Sequence, residues 1–309
     1  MQYRRADMEI GLYGLGRMGG NMARRLSRAG VRVCAHNRNG AVASALAGEE
    51  AHVVACASLA EMVQGLSSPR VVWLMLPAGE ATEQAIRAVT PLLAPGDLLV
   101  DGANGPYQDA RRRADELARK GIRFADVGVS GGVWGLANGY CLMAGGDAAD
   151  MPRLVPFLRV LAPTPDTGWL HAGPVGAGHF TKMVHNGIEY GMMQALAEGF
   201  ALMRAKQEFG LDLAAVAELW RHGSVVRSWL LDLSADFLKQ DQELEAIAPV
   251  VADSGEGRWT ALEAVRLGVP APVMIQALMA RFSSQGQGDY ANKVLAMMRK
   301  GFGGHAVQK

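Results

Sequence analysis

The chain has 309 residues, enough for two domains and a sizeable core; half of them are hydrophobic and 20% are charged, an ordinary globular mix. A net charge of +1 gives no bulk attraction to nucleic acid or a membrane surface, and the longest apolar run, Val71 to Leu76, is far too short to span a bilayer. Cys34, Cys56 and Cys141 are too widely spaced for a disulfide framework or a zinc site, and no signal-peptide-like apolar region opens the chain. The expectation is a soluble cytoplasmic protein with no metal, no nucleic-acid partner and no membrane.

Met8 to Tyr13 reads as a short strand that runs into Gly14-Leu15-Gly16-Arg17-Met18-Gly19, and a helical pattern follows to Gly30. This is G-x-G-x-x-G between a strand and a helix. Gly14 allows the tight turn, Gly16 lets backbone approach a pyrophosphate, and Gly19 lets helix pack on strand. The helix start then offers N–H groups to the phosphates. Val31 to His36 reads as the second strand, ending in Asn37-Arg38. An NAD site usually has an acid there for the ribose 2′-OH, whereas Asn and Arg suit a 2′-phosphate, so NADP is expected. A plain polar turn would read the same way.

Strand and helix go on alternating. His52–Ala55 and Val71–Leu76 read as strands, and Leu76-Pro77-Ala78 falls at the ligand edge of a parallel sheet. Leu98–Asp101 is a strand leading into Gly102-Ala-Asn104, where nicotinamide and substrate would meet. Arg111-Arg112-Arg113 lies in a helical pattern with Asp115 and Glu116 and reads as a solvated face. Phe124–Val127 leads to Ser130-Gly131-Gly132, a hydroxyl and exposed N–H groups suited to an anion, and Tyr140–Gly146 reads as another strand. Repeated βα units of this kind predict a Rossmann-type doubly wound parallel sheet, with a dinucleotide-binding domain over 1–170. An all-helical substrate and oligomerisation domain is expected over 171–309.

Between Gly176 and Gly191, Lys182, His185, Asn186 and Glu189 stand at i, i+3, i+4 and i+7, one face of a helix. Such a stripe is normally apolar. Here it is an amine, an imidazole, an amide and a carboxylate, and a solvated face competes with a cleft lining as its explanation. The segments 213–220, 228–239, 258–267, 272–282 and 289–300 all read as helical. Arg227, Arg258 and Arg299 together could supply charge for a phosphorylated substrate.

Taken in order, Gly14–Gly19, Asp101-Gly-Ala-Asn104, Ser130-Gly-Gly, the Lys182–Tyr190 helix and Gly257-Arg-Trp-Thr260 resemble decarboxylating 6-phosphogluconate dehydrogenase over nearly the whole chain. The chain is similar to the short form of that family, because the commoner form has an extended helical domain. The resemblance implies a pentose-phosphate or gluconate-utilising enzyme with Lys182 as general base and Glu189 as general acid. It also implies that Asn104, Ser130, Gly131, Gly132, His185 and Asn186 contact substrate. Tyr190, Arg227, Arg258 and Thr260 would hold its phosphate, with Arg299 and His305 from a neighbouring subunit of a dimer or tetramer. Arg258 stands where the long form has lysine. Short forms include NAD-preferring members, which leaves NAD open beside NADP.

The chemistry asks for these groups. Oxidising a 3-hydroxy acid needs a base for the hydroxyl proton; the β-keto acid then loses CO₂, and the enediol must be protonated. One neutral base and one protonated acid suffice, provided that the lysine is lowered and the glutamate raised from their ordinary ranges. A non-decarboxylating β-hydroxyacid dehydrogenase of the 3-hydroxyisobutyrate type would have no use for Glu189. A non-catalytic dinucleotide-sensing module would have no use for Lys182.

Overall fold

The computed structural model describes residues 8–303 and 306–308. The chain divides between Met183 and Val184 into two units. In the first, strands alternate with helices: β1 (Glu9–Tyr13), α1 (Arg17–Arg28), β2 (Arg32–His36), α2 (Gly40–Glu49), β3 (Val53–Ala55), α3 (Leu59–Gln64), β4 (Val71–Leu74) and α4 (Glu80–Val89). Then come β5 (Leu98–Asp101), α5 (Tyr107–Ala118), β6 (Arg123–Ser130), the short α6 (Gly135–Asn138), β7 (Cys141–Gly146), α7 (Met151–Leu161) and β8 (Trp169–Gly173).

The sheet order is β3-β2-β1-β4-β5-β6-β7-β8. Every neighbouring pair is parallel except β6 and β7. The expected doubly wound parallel sheet is present, with one antiparallel pair in it: the link after Ser130 is too short for a crossover helix, so β7 turns back on β6. β8 extends the sheet to Gly173, past the boundary expected at residue 170.

Neighbouring residues of the central strands serve opposite faces. Trp73, Leu98 and Val100 join one apolar cluster, while Val72, Leu74 and Leu99 join the other. All eight residues of β4 and β5 are buried, as a sheet covered by helices on both faces requires. Strand order reverses between β1 and β4, and the crevice at such a switch point is where doubly wound sheets bind ligands. The Gly14 turn and the Leu76–Ala78 segment leave the sheet there.

Arg113 corrects a second expectation, that of a solvated basic run. On α5 the buried positions are Ala110, Arg113 and Leu117, so Arg113 lies on the inward stripe, 2% exposed. Its charge is matched by Asp101 at 2.6 Å and Glu83 at 2.7 Å. Removing either carboxylate would leave the buried guanidinium only half matched, which makes the end of β5, the start of α4 and the middle of α5 interdependent.

α8 (Ala177–Ala205) starts in the first unit and continues uninterrupted into the second. The second unit is otherwise α9 (Leu213–Arg221), α10 (Trp229–Gln240), α11 (Glu256–Leu267), α12 (Pro272–Ser284) and α13 (Asp289–Gly303). Leu213, Ala217, Leu231, Ala235 and Leu238 pack with Leu196, Phe200 and Met203 of α8. Tyr190, Ala277 and Leu278 form a smaller cluster with Ala261 and Phe282. No residue of α13 is buried. No helix among the described residues is long and apolar enough to cross a membrane.

Candidate active site

The glycine turn has the geometry its spacing predicts. Gly14 has φ +100°, and a Cβ on it would lie 2.3 Å from the Met75 carbonyl oxygen. A Cβ on Gly19 would lie 1.9 Å from the Gly14 oxygen, so only glycine lets α1 pack this close. Over Gly16 nothing lies within 4 Å, and α1 begins there without a side-chain cap. The first-turn N–H groups, from Arg17 and Met18 onward, are thus left for an anion. That open cradle fits the pyrophosphate of a dinucleotide.

At the end of β2, Asn37 turns inward. Its Oδ1 accepts from Leu15 N–H at 3.0 Å, and its Nδ2 donates to the Asn39 carbonyl at 3.2 Å. Asn37 thus braces the glycine turn. Arg38 is exposed beside it, and no hydrogen bond or ion pair among the described residues engages its guanidinium. Beyond β4, the Thr82 hydroxyl donates to the Pro77 carbonyl at 2.8 Å, which pins the Leu76-Pro77-Ala78 segment.

Asn104 follows β5 with φ +51°, a conformation asparagine tolerates better than most side chains. Its Nδ2 donates to the Val129 carbonyl at 3.0 Å, and its Oδ1 accepts from Val129 N–H at 2.8 Å. One N–H and one lone pair of the amide remain beyond these two bonds. β6 ends at Ser130, and Gly131 and Gly132 follow with φ +131° and +53°.

The start of α8 lies directly on the sheet. A Cβ on Gly178 would meet the Met143 oxygen at 2.4 Å, and one on Gly128 would meet the Lys182 Cβ at 2.4 Å. Asp126, fully buried, accepts from Gly176 N–H and His179 N–H, both at 2.7 Å. A carboxylate on the first N–H groups of a helix is a strong, charge-assisted cap. Lys182 is then only 5% exposed, unusual for a lysine. Burial pushes the nearby Cys141 thiol up, and the Lys182 charge opposes that shift.

In the second unit, His185, Asn186 and Glu189 follow Lys182 on the same helix. His185 Nδ1 donates to Asn186 Oδ1 at 2.9 Å and lies 3.9 Å from Glu189 Oε2. Asn186 Nδ2 donates to Glu256 at the start of α11. The Thr260 hydroxyl, also buried, donates to the Glu256 carbonyl at 2.9 Å. A Cβ on Gly187 would sit 2.6 Å from Thr260 Cγ2, so glycine permits this close crossing.

Tyr190 OH lies 3.3 Å from Asp253 Oδ1 and 3.1 Å from Ser254 Oγ. Arg258 pairs with the other Asp253 oxygen and packs over Phe282, 4.6 Å from the ring centroid. Burial pushes the Asp253 carboxyl up, but the Arg258 guanidinium with the Gly255 N–H outweighs it and holds the group below its ordinary value. Tyr190 and Arg258 thus converge through Asp253, and Asn186 and Thr260 through Glu256. Arg227 lies exposed between α9 and α10, and no side-chain contact among the described residues joins it to these groups. Arg299 is exposed on α13, and His305 lies outside the described residues. Among the described residues, no three His, Cys, Asp or Glu side chains gather in a metal-holding group.

Residues 9–170 match the family model described as the NAD binding domain of 6-phosphogluconate dehydrogenase, and residues 178–303 match its C-terminal domain. The chain belongs to the 6-phosphogluconate dehydrogenase family. The protein YqeC of Bacillus subtilis is 39% identical over 302 residues, which cover 98% of this chain and 100% of that one. The NAD(+)-dependent, decarboxylating 6-phosphogluconate dehydrogenase of Haloferax volcanii is 37% identical over 303 residues, covering 98% and 99%. Among solved structures, Plasmodium falciparum 6-phosphogluconate dehydrogenase, seen apo, with NADP+ and with 6-phosphogluconate, matches with TM-score 0.81 at 28% identity. That match covers 97% of this chain and 66% of the Plasmodium chain. Mycobacterium tuberculosis 3-hydroxyisobutyrate dehydrogenase shares the fold, with TM-score 0.70 at 24% identity over 91% of this chain and 94% of that one. As a 6-phosphogluconate dehydrogenase family member, the chain carries a nicotinamide-dinucleotide-binding domain.

Some residues that build the site escaped the sequence reading. Asp126 and Gly128 meet α8 from 50 or more residues away in sequence, a pairing no local pattern announces. Glu256 and Arg281 were given no role by the sequence. Yet Glu256 is buried, and Arg281 stacks 3.4 Å from the Tyr190 ring centroid while donating to the Ala252 carbonyl at 2.7 Å.

Proposed function

We propose that the protein oxidises and decarboxylates 6-phosphogluconate to ribulose 5-phosphate and CO₂, with reduction of NADP. The observation that carries this reading is Lys182, nearly buried on a helix seated on Gly128, with Glu189 two turns further along. When bound, the nicotinamide accepts a hydride from C3 of the substrate. Lys182 takes the C3 hydroxyl proton as that hydride leaves, and the lysine then carries positive charge beside the new ketone. Lys182 returns its proton to the C3 oxygen as C1 leaves as CO₂, giving an enediol, and Glu189 donates a proton to the former C2 while Lys182 takes the C3 hydroxyl proton back. Asn104, Ser130 with Gly131 and Gly132, His185 and Asn186 bind the sugar acid; Tyr190, Arg258, Thr260 and Arg227 bind its phosphate.

The choice of NADP rests on Arg38, which stands exposed at the end of β2 where an acid would repel a 2′-phosphate. Leu15, Leu76, Pro77 and Ala78 would flank the dinucleotide. α13 supports a homo-oligomeric reading: Tyr290, Leu295 and Met297 are 80%, 55% and 56% exposed, apolar area that a second copy would cover. In that arrangement Arg299 and His305 reach the phosphate of the neighbouring subunit.

The test compares 6-phosphogluconate with 3-hydroxyisobutyrate, each with NADP and with NAD, reading reduced cofactor and CO₂ together. The proposal expects both products from 6-phosphogluconate with NADP favoured. Reduced cofactor without CO₂, or turnover of 3-hydroxyisobutyrate alone, would replace it with a simple β-hydroxyacid dehydrogenase. No turnover of either would favour a sensing module.

A further inference from the structure

We propose that His179 is a positioning residue for this reaction, fastening the helix that carries Lys182 to the strand end that carries Asn104. The inference rests on the roles given to Lys182 and Asn104 above. His179 lies one turn before Lys182 on α8 and is 1% exposed. Its Nε2 is 3.1 Å from the carbonyl oxygen of Asp101, the last residue of β5. A carbonyl oxygen only accepts, so Nε2 carries a hydrogen. Nδ1 is buried and meets no hydrogen-bond partner among the described residues. A buried bare nitrogen is unfavourable, and a leucine would fill the same space without one. What the imidazole adds is the single bond from Nε2.

That bond ends on a fixed point. The Asp101 carboxylate is held by Arg113 at 2.6 Å and accepts from Ala103 N–H at 3.0 Å. At the other end, His179 N–H is held by Asp126 at 2.7 Å. Two further fastenings complete a triangle. The Lys182 stem rests on Gly128 of β6, and the Asn104 amide brackets Val129, the next residue of β6. Both of these refer the site to β6. His179 alone among the three ties α8 directly to the end of β5, three residues before Asn104. Without it, α8 is still fastened to β6 by Asp126 and by its glycine seat, but the separation of Lys182 from Asn104 is no longer set on the β5 side.

The test is a pair of amide variants of the full-length protein. His179→Gln places an amide N–H near the position of Nε2, whereas His179→Asn is one methylene too short to reach Asp101. A displacement on the order of 1 Å lowers a rate about 10²-fold, so His179→Asn is expected to lose about 10- to 100-fold in kcat on 6-phosphogluconate. His179→Gln should keep kcat within about fivefold, and NADP affinity should stay within about twofold in both, because neither touches the glycine turn. His179→Asn retaining more than half of wild-type kcat, or His179→Gln falling equally far, would overturn the role. If a variant does not fold, ¹⁵N NMR of the wild-type imidazole decides: a slowly exchanging Nε2–H is expected, and hydrogen on Nδ1 alone would overturn it. Wild-type protein that does not turn over 6-phosphogluconate would instead refute the functional reading, while the NMR result still reports on the His179 bond itself.

Discussion

Gly128→Ala tests whether the position of Lys182 depends on its seat. A Cβ added there would start 2.4 Å from the Lys182 Cβ and 2.9 Å from the Gly178 carbonyl oxygen. Carbon atoms in contact sit about 3.5–4.0 Å apart, so α8 must move off β6 by about 1 Å or more. Overpacking of this kind costs about 1–3 kcal/mol of stability, and a shift of that size in Lys182, the proposed base, should cost about 10²-fold in kcat. Dinucleotide affinity, which the proposal assigns to the Gly14–Gly19 turn, should be unchanged. Gly48→Ala is the control: nothing lies within 4 Å of a Cβ there, so kcat should match wild type. In the last turn of α2, Gly48→Ala should also gain roughly a few tenths of a kcal/mol of stability, less than at a helix interior. Steady-state kinetics, cofactor fluorescence and thermal unfolding read the three effects. A folded Gly128→Ala protein with kcat within about threefold of wild type would refute the reasoning.

Arg38→Ala should lose about 1.5–3 kcal/mol against NADP, or about 10- to 150-fold in affinity, and little against NAD; equal losses would show that Arg38 does not read the 2′-phosphate. Burial pushes the Glu83 carboxyl up, but the Arg113 and Arg112 guanidinium groups outweigh it and hold it below its ordinary value. Stability from a depressed carboxyl is present above its unfolded pKa, about 4.3, and is lost as pH falls through the lower folded value. Glu83→Gln should therefore cost about 2 kcal/mol near pH 7, in a gap to wild type that closes below about pH 4; a gap that stays constant in urea unfolding would contradict this. Mixed oligomers of Lys182→Ala and Arg299→Ala should recover activity above either parent if the tail acts in trans, and a flat profile across mixing ratios would refute the exchange.

Much of the first unit was legible because local and tertiary signals agree there. The Gly14–Gly19 turn, the unbroken apolar run of β4 and the repeated βα alternation each demand the same sheet. The antiparallel turn of β7 was also encoded, in a link after Ser130 too short for a crossover, but the direction of a strand leaves no mark on its composition. β8 left less: Trp169–Gly173 is only partly buried and lies at the sheet edge, so it lacks a core strand's pattern. Arg113 misled for a different reason. Its partners lie 12 and 30 residues away, and an arginine triplet looks solvated until those carboxylates are brought to it. In the candidate site, the Lys182–Glu189 stripe was visible from helical spacing alone. The bracing roles of Asn37 and Asn104 were not, since both depend on backbone groups that only the fold brings near.

The proposed base and acid on one helix make a claim that a single labelling experiment tests. Turnover of 6-phosphogluconate in D₂O, with the product examined by NMR, follows the proton that Glu189 is proposed to deliver. The expected product is ribulose 5-phosphate with one deuterium at C1 in a single configuration, formed in equal amount with NADPH and CO₂. A keto acid that retains its carboxylate, or a pentulose phosphate labelled equally in both configurations, would contradict protonation by a group fixed on this helix.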